Sequence, residues 1–166
     1  MRKILFIFIL SLSCALWAIE ISFDSGMASD RVHLPFNAEI DGGFYGAADG
    51  NIDIYITNPY GKSGTLYAEI IEPLNSPEGF TFADNVLQWK FYYTDDDKSN
   101  PLITPAAPKE SWTTYRRREI PILRINPKTV TTPPVRVQLG TTLQRVPSCQ
   151  PDKTYAAKIH FRVEEN

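Results

Sequence analysis

Chemistry needs imidazoles, thiols, carboxylates or guanidinium groups placed to act together, and in these 166 residues such groups are few and scattered. There are two histidines, His33 and His160. His160 stands between Lys158 and Arg162, where positive charge disfavours the protonated ring, and His33 alternates with Val32 and Leu34; both are read as outward-facing. An acyl-transfer site needs a nucleophile, a base and an orienting acid. No Gly-x-Ser-x-Gly elbow, phosphate loop or HExxH motif supplies them. Glu69, Glu72, Glu78, Glu110 and Glu119 offer carboxylates for glycoside hydrolysis, but their spacing brings no two together. Two cysteines are too few for a thiolate zinc site. Oxygen ligands for calcium occur at Asp49, Asn51 and Asp53 and again at Asp95, Asp96 and Asp97, without the twelve-residue spacing of an EF-hand; a solvent-facing strand and a soluble turn explain them more simply. The expectation is therefore a non-enzyme with no metal and no cofactor.

Recognition through the surface has better candidates. Arg116, Arg117 and Arg118 are the densest positive run, and Trp112 and Tyr115 precede them. Guanidinium groups beside aromatic rings suit sugar acids or carboxylates, although charges along an edge strand also serve to block aggregation. Tyr67 and Tyr92 fall opposite the apolar faces of their strands and add two more rings that could stack on sugars or cover a neighbouring subunit.

These residues have to be positioned by something, and the composition says what. At 43% apolar and 22% charged, with a formal charge of −2, the chain is neither disordered nor collagen-like, and its length suits one domain. Residues 1–18 run from Arg2 and Lys3 through the oily stretch Ile4–Leu12 to small residues ending at Ala18, the pattern of a secretory signal peptide. The oily stretch is about half the ~20 residues a membrane helix needs, and Glu20 and Asp24 follow it, so no membrane span is expected in the mature chain. Cys14 lacks the Leu three positions earlier that lipidation favours; Ser11 stands there. Cleavage after Ala18 leaves residues 19–166 as a single domain with a formal charge of −4 and one cysteine, Cys149. That charge gives nucleic acid nothing to bind, and a lone thiol closes no internal disulfide, so the core must supply the stability.

All thirteen prolines lie beyond residue 18, too closely spaced for long helices. Between them apolar residues recur at every second position, the period of a half-buried strand. The runs are Val32/Leu34/Phe36, Ile52/Ile54/Ile56, Leu66/Ala68/Ile70, Leu87/Trp89/Phe91/Tyr93, Val135/Val137/Leu139 and Tyr155/Ala157/Ile159/Phe161/Val163, with weaker ones at Ile19–Phe23 and Ile120–Ile125. Seven or eight strands with no helices to cross over predict an all-β, antiparallel, immunoglobulin-like β-sandwich, with Trp89 at its centre. Residues 58–64 read as a hairpin loop, residues 41–50 as a glycine-rich loop, and Asp95–Ser111 as a long irregular stretch.

The stretches Asn51-Ile-Asp-Ile-Tyr-Ile-Thr-Asn-Pro59 and Gln150-Pro-Asp-Lys-Thr-Tyr-Ala-Ala-Lys-Ile-His-Phe-Arg-Val163 resemble, faintly, the early inner strand and terminal strand of bacterial secreted immunoglobulin-like sandwiches, including pilin-like and spore-coat-U-like surface proteins. The resemblance covers about a sixth of the mature chain. It implies a periplasmic or cell-surface location and a sandwich that lacks one strand and receives the N-terminal extension of the next subunit. Here that extension is Ile19–Phe23, with Ile19, Ile21 and Phe23 on one face. The leading expectation is an exported structural or interaction protein of the envelope that pairs edge strands with itself or with other envelope proteins. The alternative is a carbohydrate-binding module presenting glycan to Tyr67, Tyr92, Trp112 or Tyr115.

Overall fold

The computed structural model describes residues 18–23, 43–47, 50–92, 102–106, 111–147, 149–150 and 153–166. The strand expected at Val32–Phe36, His33, the Asp95–Asp97 triplet and residues 1–17 of the expected signal peptide lie outside them. Eleven strands are present among the described residues: β1 (Glu20–Phe23), β2 (Phe44–Tyr45), β3 (Gly50–Asn58), β4 (Gly64–Asn75), β5 (Leu87–Tyr92), β6 (Ile103–Pro105), β7 (Thr113–Thr114), β8 (Ile120–Ile125), β9 (Val130–Leu143), β10 (Val146–Pro147) and β11 (Ala156–Glu165). One 3₁₀ turn, Asp84–Val86, leads into β5. No described helix is long and apolar enough to cross a membrane.

Two sheets carry the architecture. One has the order β1-β3-β9-β5-β7, the other β11-β4-β8-β6, and β10 pairs with β2 in a small ribbon. Every pairing is antiparallel. The alternation in the sequence explains why the sheets face one another. Ile54 and Ile56 of β3, Val137 and Leu139 of β9, and Trp89 and Phe91 of β5 are buried on one face; Leu66, Ala68 and Ile70 of β4 and Leu123 and Ile125 of β8 are buried on the other. These form one apolar cluster, the filling of a β-sandwich. Trp89 is 1% exposed at its centre, packed against Tyr115 with ring centroids 6.3 Å apart, and its buried indole N–H has no acceptor among the described residues.

Three departures from the sequence reading have physical causes. The strand count is higher than seven or eight because β2, β6, β7 and β10 are only two or three residues long, too short for a period of two to register. β6 lies inside the stretch read as irregular, anchored by Leu102 and Ile103, which are buried against the core while Ile103 pairs with Ile125. The segment 58–64 is not a hairpin loop: β3 and β4 belong to different sheets, so this turn arches across the sandwich. The Asn58 side chain holds the arch, donating from Nδ2 to the Lys62 carbonyl at 2.7 Å and accepting the Lys62 amide on Oδ1 at 3.0 Å. Gly61, at φ 64°, supplies the left-handed residue the arch requires.

Bulges account for the weaker runs. In β8 the register steps from Leu66↔Leu123 to Tyr67↔Pro121, so Ile122 is an inserted residue, and it and Leu123 are both buried. In β9 the pairing jumps from Val135↔Ile56 to Val130↔Asn58, skipping Pro133 and Pro134, which have no N–H to give to a ladder. If the two facing sheets carry the stability, Ile54→Ala should cost about 2–5 kcal/mol in urea denaturation, and Ile71→Ala, on the exposed side of β4, less than about 1 kcal/mol.

Candidate functional site

The residues singled out for assembly lie at one lateral margin of the sandwich, where β1 ends one sheet and β11 ends the other. Among the described residues β1 pairs antiparallel with β3, in the register Glu20↔Thr57 to Phe23↔Ile54. It is a short strand with mostly exposed residues. Ile19, just ahead of it, is buried, Ile21 is half-buried, and Phe23 is 37% exposed. The expected alternation is thus present, and its apolar face turns towards β11. Phe23 packs on Phe161 with ring centroids 5.7 Å apart and planes tilted by 56°.

Polar contacts finish the joint. The Ile19 backbone N–H donates to Glu165 Oε1 at 2.8 Å, and Lys62 Nζ, from the arch between β3 and β4, donates to Glu165 Oε2 at 2.5 Å. The Asn166 amide donates to the Ser63 carbonyl at 3.0 Å. Gly64 is where these segments converge: a Cβ there would lie 2.8 Å from Ile19 Cδ1 and 2.9 Å from the Glu164 carbonyl oxygen, so only glycine admits this approach. The Lys62 ammonium, followed by the Ile19 amide, holds the Glu165 carboxyl below the usual glutamate range. Further along β11, Arg162 grips Glu119 with two bonds, at 2.5 and 2.8 Å, and reaches Glu164 at 3.0 Å. The Glu119 carboxyl is lowered chiefly by that bond.

The ligand-contact candidates are not brought together. Tyr67 lies on the outer side of β4, with the Arg162 guanidinium 5.3 Å above its ring. Trp112 belongs to the other sheet's end, half-buried, with Lys90 Nζ 4.4 Å from its ring centroid. Tyr92 is the last residue of β5. Arg116, Arg117 and Arg118 are exposed, but in the turn from β7 to β8 and not along an edge strand; the Arg116 carbonyl accepts the Ile70 amide at 2.7 Å. Tyr115 corrects the expectation outright: it is fully buried, its hydroxyl 3.5 Å from Thr141 Oγ1, and burial raises its pKa above the ordinary tyrosine value. A ring sealed against Trp89 offers no face to a sugar.

Asp53 accepts from Arg136 at 2.7 Å and Gln138 at 3.1 Å, which makes it a cross-strand partner on the wet face of β3 and β9. Among the described residues no three His, Cys, Asp or Glu side chains gather as metal ligands. His160 is exposed on β11 opposite Glu69. Cys149 is a buried free thiol, and burial raises its pKa. The residues at the margin that sequence reasoning missed, Lys62, Gly64 and Glu165, carry no signal of their own, because nothing in a one-dimensional pattern ties residue 19 to residue 165.

Comparison with known proteins finds no matching family model, no matching curated protein and no matching solved structure.

Because Glu119 and Glu165 have folded-state pKa values below the ordinary glutamate value, their contributions to stability are complete above that value and disappear as pH falls through the lowered one. Urea midpoints measured from about pH 6 down to about pH 3 should fall. In the Glu119→Gln/Glu165→Gln double variant the decline should be shallower.

Proposed function

We propose that this chain is an exported, non-catalytic structural or interaction subunit of the bacterial envelope, released from a signal peptide at residues 1–18, which assembles by exchanging its N-terminal strand between copies. The observation that carries the reading is the position of β1: four residues at the end of a sheet, attached among the described residues by one ladder and by the apolar side chains of Ile21 and Phe23. Removing it uncovers the Ile54–Thr57 edge of β3, a row of backbone donors and acceptors that accepts another strand of the same register.

Exchange has a simple energetic logic. β1 of a second copy would make in trans the contacts that β1 makes in cis, so the contact energies cancel and the balance is set by concentration and by the connection. Nineteen residues separate Phe23 from Gly43, a contour of at most roughly 65 Å, long enough to let the strand reach a neighbour. In the pilin-like sandwiches that the sequence faintly resembles, that strand comes from the next subunit, whereas here β1 fills the edge of its own β3, so assembly requires an exchange. Glycan binding has less support, since Tyr115 is interior and Tyr67 and Trp112 lie on separate sheets beneath cations.

The full chain, exported from a bacterial host and purified, should show concentration-dependent oligomers by size exclusion with light scattering. Deleting residues 19–24 should remove them while leaving the β-sheet circular dichroism intact, and a synthetic peptide Ile-Glu-Ile-Ser-Phe-Asp should bind the deleted protein. Oligomers that persist after the deletion would rule out strand exchange.

A further inference from the structure

Ile19 is the first residue of the chain once the leader is cut after Ala18, and its backbone nitrogen is the atom that rests 2.8 Å from Glu165 Oε1. In the uncut chain that nitrogen is an amide, a neutral donor. Hydrolysis of the Ala18–Ile19 bond adds water across it: the carbonyl carbon gains a C–O bond and leaves as a carboxylate, the C–N bond breaks, and the nitrogen leaves with its electron pair and takes up protons to become an ammonium. We propose that Glu165, already paired with Lys62 through its other oxygen, is the acceptor of this newly made α-ammonium, so that processing converts the contact at the head of β1 from an amide hydrogen bond into an ion pair that holds the strand end against β11. The inference rests on the reading of residues 1–18 as a cleaved signal peptide, and not on strand exchange.

The surroundings fit a cation at that position. Glu165 has two carboxylate oxygens and divides them, Oε1 to Ile19 and Oε2 to Lys62, so the ammonium does not displace the lysine. A single carboxylate between two cations is under-neutralised, and Glu164, next in line, is engaged by Arg162. Glu20, exposed on β1, adds a second negative charge one residue away. The Ile19 side chain is buried against Gly64, whose missing Cβ leaves the room it occupies, so the nitrogen is fixed by packing on one side and charge on the other. Ala18 is exposed while Ile19 is buried, which separates the two sides of the bond. A peptidase of the signal-peptidase class needs the bond extended in its own cleft, so cleavage precedes docking, and the charge is already present when β1 settles.

The order of events makes the ammonium a check on export. A chain that keeps its leader has the weaker contact and a looser β1; a processed chain has the stronger one. Because the charge sits at the end of the exchangeable strand, it also sets how readily that strand leaves.

The experiment begins with the full 166-residue chain exported from a bacterial host, with the recovered N-terminus read by intact mass and terminal sequencing. Ile19 is the expected first residue; any other start overturns the site. The purified protein is then labelled at pH 7 with an amine-reactive ester at concentrations where it is monomeric, and label at residue 19 is followed by mass spectrometry. In the native protein the α-amine should react at least threefold more slowly than in Glu165→Gln, and Glu165→Asp should fall between them. Selective N-terminal acetylation should shrink, without abolishing, the two- to five-fold difference in folding equilibrium between native and Glu165→Gln protein, the range expected for an exposed pair, because the Lys62–Glu165 pair survives acetylation. Equal labelling rates in native and Glu165→Gln protein, or an equal Glu165→Gln effect with and without acetylation, would overturn the proposal. Oligomer formation is not among these readouts, so the ion pair and the exchange stand or fall separately.

Discussion

A pleated sheet with one oily face can hide it from water only by laying it against another, and in this chain a five-stranded and a four-stranded sheet do so across Trp89, Phe91, Ile54, Ile56, Leu66 and Leu139. Everything else follows from that closure. Facing sheets satisfy their interiors but leave terminal strands, which among the described residues are β1 and β7 of one sheet and β11 and β6 of the other. One margin therefore has to be managed by β1 and β11, and the contacts found there, Phe23 on Phe161 and Ile19 on Glu165, are the means.

Within that margin β1 is lightly embedded. The central strands β9 and β4 are each paired on both sides, whereas β1 is held by one ladder, mostly exposed, and secured by side chains that are themselves partly in water. Local stability tracks such differences, with edge elements opening at much lower cost than core strands. The proposed exchange draws on this difference, since a strand held at one edge is the part that can leave while the two sheets stay closed.

The long strands were legible in the residues because burial on one face writes a period of two into them. Ile52, Ile54 and Ile56, or Leu66, Ala68 and Ile70, can be assigned to a face without any coordinates, and Trp89 is recognisable as interior by its neighbours at 87 and 91. The period fails where the backbone departs from regular pairing. Ile122 and Leu123 are both buried because a bulge inserts one of them, and Thr113–Thr114 is too short to show any pattern. Tyr115 was misread as a surface ring because its neighbours, Thr114 and Arg116, give no apolar period; its burial comes from a segment crossing between sheets, a tertiary fact. The segment 58–64 has hairpin composition, yet Asn58 ties it into an arch, since proline and glycine mark a turn without fixing which sheet the chain enters next.

The account depends on β1 leaving its own β3 for that of another copy, and cysteine trapping reads this directly. Ser22 and Tyr55 are cross-strand partners, close enough for a disulfide when both are cysteine. Chains carrying Ser22→Cys alone and Tyr55→Cys alone, differently tagged, mixed at high concentration and oxidised slowly, should give a disulfide-linked heterodimer bearing both tags. If the Ser22→Cys/Tyr55→Cys double variant cross-links within one chain while the mixture yields no heterodimer, β1 stays at home and the account is contradicted.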